Sequence, residues 1–125
     1  MKVLLVNDSA AVRQVQRQIM TQLGITQVME ANRCSDANDT LLNFNADLIV
    51  IDADTQRKSG MTFIRDYRAT GGKASIILLT GDTNRRRLVE AIKSGVNSYL
   101  IKPFTVDALL QRVQDTVTRF AAVQA

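Results

Sequence analysis

A-D-L-I-V-I-D, residues 46–52, is the stretch from which the rest of the chain can be read. Leu48, Ile49, Val50 and Ile51 form an unbroken apolar run, three of them β-branched, and the run stops at a carboxylate, Asp52. A strand apolar on both faces belongs in the centre of a parallel sheet, covered above and below by helices. Asp52 then stands at the carboxyl end of that strand, on the rim where open α/β sheets bind ligands. A lone Asp at such a point is equally explained by the opening of a turn. Its meaning depends on what ends the other strands.

Upstream, Lys2–Asn7 carries V-L-L-V and reads as a buried strand ending at Asn7-Asp8. Ser9 is placed to cap a helix whose apolar positions are Val12, Val15, Ile19, Met20 and Leu23, with Gly24 as its stop. Gln27–Glu30 is a short second strand, and Ser35 and Asp36 open a helix carrying Ala37, Leu41, Leu42 and Phe44. Downstream of Asp52, a polar loop, Ala53–Ser59, leads past Gly60 into a helix with Met61, Phe63, Ile64 and Tyr67 inward. Gly71-Gly72 breaks it, and Ala74–Leu79 is a fourth apolar strand ending at Thr80. Leu88, Val89, Ala91 and Ile92 mark a fourth helix closed by Gly95. Ser98–Ile101 is the fifth strand, ending at Lys102-Pro103. Thr105 caps a last helix with Val106, Leu109, Leu110, Val113, Val117 and Phe120 as its stripe. Five alternating β–α units with short connections predict right-handed crossovers and one doubly wound parallel α/β domain spanning residues 1–125.

The totals exclude several classes of function. A chain of 125 residues with 46% apolar content and one Pro builds a real core and is neither fibrous nor disordered. The single cysteine, Cys34, cannot form an internal disulfide, and the absence of His removes any Cys/His zinc site, so a reducing cytoplasmic setting is expected. The apolar start is too short for a signal peptide, and no apolar run approaches the roughly 18–20 residues of a membrane span. The net charge of +4 raises the possibility of a nucleic-acid or membrane partner. The only dense basic run, however, is Arg85-Arg86-Arg87, with Arg57-Lys58 as a lesser one, and no aromatics are interleaved to stack bases. A solvated helix face is the expected reading, with no direct nucleic-acid or membrane contact.

The carboxyl ends of parallel strands share one edge, so Asn7-Asp8, Asp52, Thr80 and Lys102 converge. Asp8 and Asp52 suit a hard divalent cation, since Mg²⁺ asks for only one or two carboxylates plus waters. Asp52 is also a competent nucleophile toward phosphorus. Thr80 offers a hydroxyl and Lys102 a positive charge to phosphoryl oxygens. Phosphoryl transfer needs mainly positioning and charge neutralisation, which this set supplies.

With these residues in place, the chain resembles the response-regulator receiver domain of the chemotaxis CheY type over essentially its whole length. The anchors are V-N-D at 6–8, I-V-I-D at 49–52 with Gly60 eight residues on, L-L-T-G at 78–81, and G-V-N-S-Y-L-I-K-P-F at 95–104. The resemblance implies a flavodoxin-like, five-stranded sheet of order 2-1-3-4-5. It implies that Asp52 is the phosphoacceptor, and that Mg²⁺ is held by Asp8, Asp52 and the main-chain carbonyl of Asp54. It further implies that Thr80 and Lys102 bind the phosphoryl group, that Thr80 and Tyr99 form the switch, and that the Lys102–Pro103 peptide is cis. It describes a regulatory domain, not an enzyme in the ordinary sense, catalysing only its own phosphorylation and dephosphorylation. Its partners would be a histidine kinase or phosphotransfer protein and a downstream target protein or fused output domain.

The chain departs from the family's pattern at several points. Asn7 stands where a second acid is usual, and is expected to act through a metal-bound water. Removing a carboxylate about 6 Å from Mg²⁺ forfeits at most roughly 5 kcal/mol at an effective dielectric near 20, so weaker but persistent Mg²⁺ binding is expected. Thr55-Gln56 replace a Met-Pro pair, and Arg57-Lys58 add positive charge beside the site. Asp54 and Asp82 occupy positions that, by the resemblance, would tune acyl-phosphate lifetime. Asn97-Ser98 lack the acids with which receivers of the DNA-binding OmpR type pair the basic fourth helix. Asn7 and the altered loop motivate the alternative of a pseudo-receiver that binds partners without phosphorylation. An FMN carrier of flavodoxin type would want a Ser/Thr/Gly-rich phosphate loop where N-D-S-A-A-V stands.

Overall fold

A computed structural model describes residues 1–53 and 60–124 of the chain. Among these residues, strands and helices alternate as β1 (Lys2–Val6), α1 (Ala10–Gln22), β2 (Gln27–Ala31), α2 (Cys34–Leu41), β3 (Leu48–Asp52), α3 (Gly60–Ala69), β4 (Ser75–Thr80), α4 (Arg85–Lys93), β5 (Ser98–Ile101) and α5 (Val106–Gln124). The strands form one sheet of order β2-β1-β3-β4-β5, and every pairing is parallel. β3 is the central strand and is buried along its whole length. Its side chains alternate between two cores, as a strand's must. Ile49 and Ile51 face Phe63, Ile64, Ala37 and Ala91 from α2, α3 and α4. Leu48 and Val50 face Ile19, Met20, Leu109 and Val113 from α1 and α5. The sheet is therefore covered on both faces, the condition under which continuous apolar strands are stable.

Local chemistry sets the helix ends. The Ser9 hydroxyl accepts the Val12 N–H and opens α1, and the Thr105 hydroxyl accepts the Ala108 N–H at the start of α5. α2 begins at Cys34, ahead of the expected Ser35 and Asp36, with no side-chain cap. Gly95, at φ +113°, closes α4 in a backbone conformation that side chains resist. A Cβ there would also lie 2.7 Å from Arg68 Cγ. Arg68 ties this turn to the end of α3. It donates to the carbonyls of Gly95 and Gly72 and to Asn97 Oδ1, which also accepts the Ile76 N–H. Asn97, which stands where receivers of the OmpR type carry an acid, is thus engaged within the chain.

Several apolar residues expected in the core are exposed: Val12 and Val15 on α1, Leu42 after α2, Val89 and Ile92 on α4, and Val106 on α5. Periodicity identifies a helix face but not how far along its axis the sheet extends. Val12 shares a face with Ile19 but stands on the first turn, above the rim of the sheet. Val15 lies about 100° from its neighbour, Gln16, which takes the inward position instead. Gln16 is only 2% exposed, and its Oε1 has no hydrogen-bond partner among the described residues. Such an orphan costs about 1–3 kcal/mol. Gln16→Leu is therefore expected to raise the urea midpoint, adding on the order of 1 kcal/mol, since leucine is also a good helix former. A lowered midpoint would contradict this account. No helix of the described residues is long and apolar enough to cross a membrane.

Candidate functional site

Register places the expected residues on one rim. Val6 pairs with Ile51 and Asp52 with Leu79, so Asn7 is level with Asp52 on the neighbouring strand. Thr80 pairs with Ile101, so Lys102 lies one residue beyond. The ladder continues past the strand ends, through Asn7 N–H to Ala31 C=O, Ala53 N–H to Leu79 C=O and Lys102 N–H to Thr80 C=O. These bonds fix the rim rather than leaving it as loose loop. Gly60 closes the floor. Its N–H donates to the Ala53 carbonyl, and a Cβ on it would lie 3.2 Å from the Asp52 carbonyl oxygen and 3.4 Å from Ile51 Cδ1.

Asp52 is 8% exposed, and two cationic or polar donors reach the same carboxylate oxygen. Lys102 Nζ lies 2.5 Å from Oδ2, and Asn7 Nδ2 lies 3.4 Å from it. β4 stands between β3 and β5, so the two strand axes are roughly 10 Å apart. The four-carbon stem of lysine covers that span, while the short amide of Asn7 suffices from adjacent β1. The Lys102 side chain keeps 37% of its exposure, so the ammonium retains access to water. Lys102–Pro103 is cis, as the family resemblance implied.

Asn7 is 3% exposed and does three things at once. Its Oδ1 accepts the Ser9 N–H at 2.9 Å, its Nδ2 faces Asp52, and its main-chain carbonyl accepts from Arg13 Nη1. Arg13 also pairs with Glu30 on β2 at 3.0 Å. Arg13 escaped sequence reasoning, because an arginine on the first turns of a helix reads as solvated surface. With Asn7 in place of an acid, a would-be repulsive neighbour of Asp52 becomes a donor. Asp8 is exposed and makes no side-chain hydrogen bond or ion pair among the described residues. Asp54, Thr55-Gln56 and Arg57-Lys58 lie outside the described residues.

Thr80 is 4% exposed, and its Oγ1 accepts the Asp82 N–H at 3.0 Å. Side-chain alternation puts Thr80 on the sheet face of Leu78, where half-buried Tyr99 packs opposite on β5. Asp82 in turn binds Arg87 of α4 at 2.9 Å. The Arg87 hydrogen bond, with the Asn84 N–H behind it, holds the Asp82 carboxyl below its ordinary range, and Asp82 raises Arg87 correspondingly. Of the arginine run, Arg86 is nearly fully exposed and only 3.8 Å from Glu90, as a solvated face predicts.

The donor set suits a hard cation held by few protein ligands. Asp8 and Asp52 supply two carboxylates on one rim, and no cluster of three or more His, Cys, Asp or Glu side chains suited to a metal occurs among the described residues. Two carboxylates plus waters are enough for Mg²⁺, and too few for a dehydrated all-protein cage.

A central parallel sheet with an aspartate, a threonine and a lysine at successive strand ends defines a class, and comparison with known proteins agrees. The response regulator receiver domain family matches residues 3–114, and the chain belongs to it. It is 29% identical to a chemotaxis protein CheY of Pseudomonas aeruginosa over 95% of this chain and 98% of that one. It is 30% identical to a chemotaxis protein CheY homolog of Campylobacter jejuni over 94% and 92% of the two chains. The Francisella response regulator 1452 receiver domain superposes with a TM-score of 0.86 at 28% identity, covering 95% of this chain and 98% of that chain. This is a CheY-like receiver domain of two-component signalling, and membership of that family sets aside a flavodoxin-type FMN carrier.

Proposed function

We propose that Asp52 accepts a phosphoryl group from a phosphohistidine on a histidine kinase or phosphotransfer protein, and that the modified domain changes its affinity for a downstream target. The observation that carries this is the 2.5 Å approach of the Lys102 ammonium to Asp52 Oδ2 at the end of β3. A carboxylate oxygen of Asp52 attacks phosphorus, the N–P bond of the donor breaks, and the imidazole nitrogen keeps the electron pair. The donor histidine is external, since this chain has no His. Lys102 then stands beside the new phosphoryl oxygens, and the Thr80 hydroxyl turns toward them. Tyr99 follows on the same sheet face, which alters the surface of α4, β5 and α5. The phosphoryl group shifts this equilibrium only by what it contacts differently in the two states.

Asp8 and Asp52 would hold Mg²⁺, with Asn7 acting through a bound water. The ion, when bound, neutralises charge on the transferring phosphoryl group. Burial of the Asp52 carboxylate and its contact with Lys102 keep the acceptor oriented. The domain is regulatory, its only chemistry being on itself. The alternative of constitutive partner binding draws on Asn7 and the altered 54–59 loop, but the Asp52–Lys102 pair favours the phosphoacceptor.

Incubation with Mg²⁺ and a small acyl phosphate, followed by mass spectrometry, tests the reading: one phosphoryl group gained supports it, and none gained overturns it. Asn7→Asp is expected to tighten Mg²⁺ binding about tenfold, a fraction of the Coulombic upper bound. Calorimetric titration of both forms checks this. Equal affinities would mean the residue at position 7 does not sense the ion.

A further inference from the structure

The loop between β4 and α4 is laced more tightly than a connection needs to be. Thr80 Oγ1 accepts the Asp82 N–H at 3.0 Å. Asp82 Oδ1 accepts the Asn84 N–H at 2.9 Å, and its Oδ2 accepts from Arg87 Nη1 at 2.9 Å. Asn84 Oδ1 accepts the Arg87 N–H at 3.2 Å and caps α4. Hydrogen bonds thus run from the Thr80 hydroxyl to the helix and close into a ring at Asp82. Both oxygens of the Asp82 carboxylate are engaged on the α4 side. For Thr80 to turn toward a phosphoryl group on Asp52, its Oγ1 must either release the Asp82 N–H or carry the whole turn along.

We propose that Arg87 is a positioning residue for Thr80: its ion pair with Asp82 pins the 80–84 turn to α4 and holds Thr80 in its unphosphorylated arrangement. The inference rests on the phosphoacceptor reading and deepens it by naming what resists the switch. It also separates two arginines that look alike in sequence. Arg87 pins the turn, whereas Arg86 reaches only Glu90 on its own helix at 3.8 Å. The pair is partly exposed, so its effect is modest and sensitive to salt.

The test measures phosphoryl uptake on Asp52 from a small acyl phosphate with Mg²⁺. Arg87→Ala and Asp82→Ala are each expected to quicken uptake by about two- to fivefold, the range an exposed pair supplies. The double variant should go no further than either single one, because the two residues act as a unit. Arg87→Lys, which keeps the cation, should stay near the parent rate. Arg86→Ala removes the same charge from the run and should not accelerate. Loss of a cation near the site would by itself slow an anionic donor, so acceleration in Arg87→Ala identifies the latch; Asp82→Ala removes an anion and is read through the double variant. Unchanged rates, or additive single effects, overturn the proposal. A second measurement needs no phosphoryl donor. Exchange of the Asp82 amide proton, followed by NMR, should quicken in Arg87→Ala and not in Arg86→Ala. Unchanged exchange overturns the latch even where uptake is normal. Quickened exchange in a protein that accepts no phosphoryl group supports the latch and overturns the phosphoacceptor reading instead.

Discussion

Asp52→Asn gains no phosphoryl mass under conditions that label the parent, and it remains folded. The first half follows from the nucleophile. A carboxylate offers an anionic oxygen to phosphorus, whereas the amide has lost that charge and its nitrogen lone pair is delocalised into the carbonyl. The second half follows from the partners. The amide oxygen can still accept from Lys102, whose side chain keeps 37% of its exposure and so has water to turn to. Breaking a fully buried ion pair costs about 3–5 kcal/mol. With the ammonium already wet, a loss of about 1 kcal/mol is expected. Intact mass spectrometry reads the first effect and urea denaturation the second. Persistent labelling of Asp52→Asn would put the acceptor elsewhere and remove the basis of the functional reading.

Ile49→Ala is the substitution with the largest expected effect on stability. Ile49 is fully buried in the central strand, paired with Leu4 on one side and Ile76 on the other. Neighbouring strands on both sides leave little room for collapse around a cavity, so a loss of about 2–5 kcal/mol is expected. Against a typical total of about 5–15 kcal/mol this is a large share. It should appear as a lower urea midpoint with an unchanged slope. Val12→Ala is the contrast. Helical spacing alone would assign Val12 to the core, yet it is 41% exposed, and its truncation should move stability by no more than about 0.5 kcal/mol. Comparable losses at both positions would contradict the packing described.

The pair also marks what was legible in the sequence. β3 could be read because an apolar run without alternation has few other homes than a covered parallel sheet. The rim could be read because parallel strands end on a common edge, so chemistry follows from the residue after each run. Those two facts are enough to bring Asn7, Asp52, Thr80 and Lys102 together from the sequence alone. Exposure at Val12, Val89, Ile92 and Val106 could not be read, because it depends on where a helix overhangs the sheet. Nor could the contacts of Arg13, Arg68 and Arg87. Each donates to a carbonyl or carboxylate on another segment, an arrangement set by turn geometry and rotamer rather than by spacing. Gln16 is the reverse case: a polar residue at an inward helical position, which a pattern of apolar residues passes over.

The Lys102 ammonium comes from the end of β5, over β4, to an aspartate at the end of β3. A ribosome-bound chain that has not yet delivered residue 102 therefore holds the aspartate without this ammonium. Docking of β5 beside β4, rather than appearance of the aspartate itself, is the step that brings this ammonium to the rim.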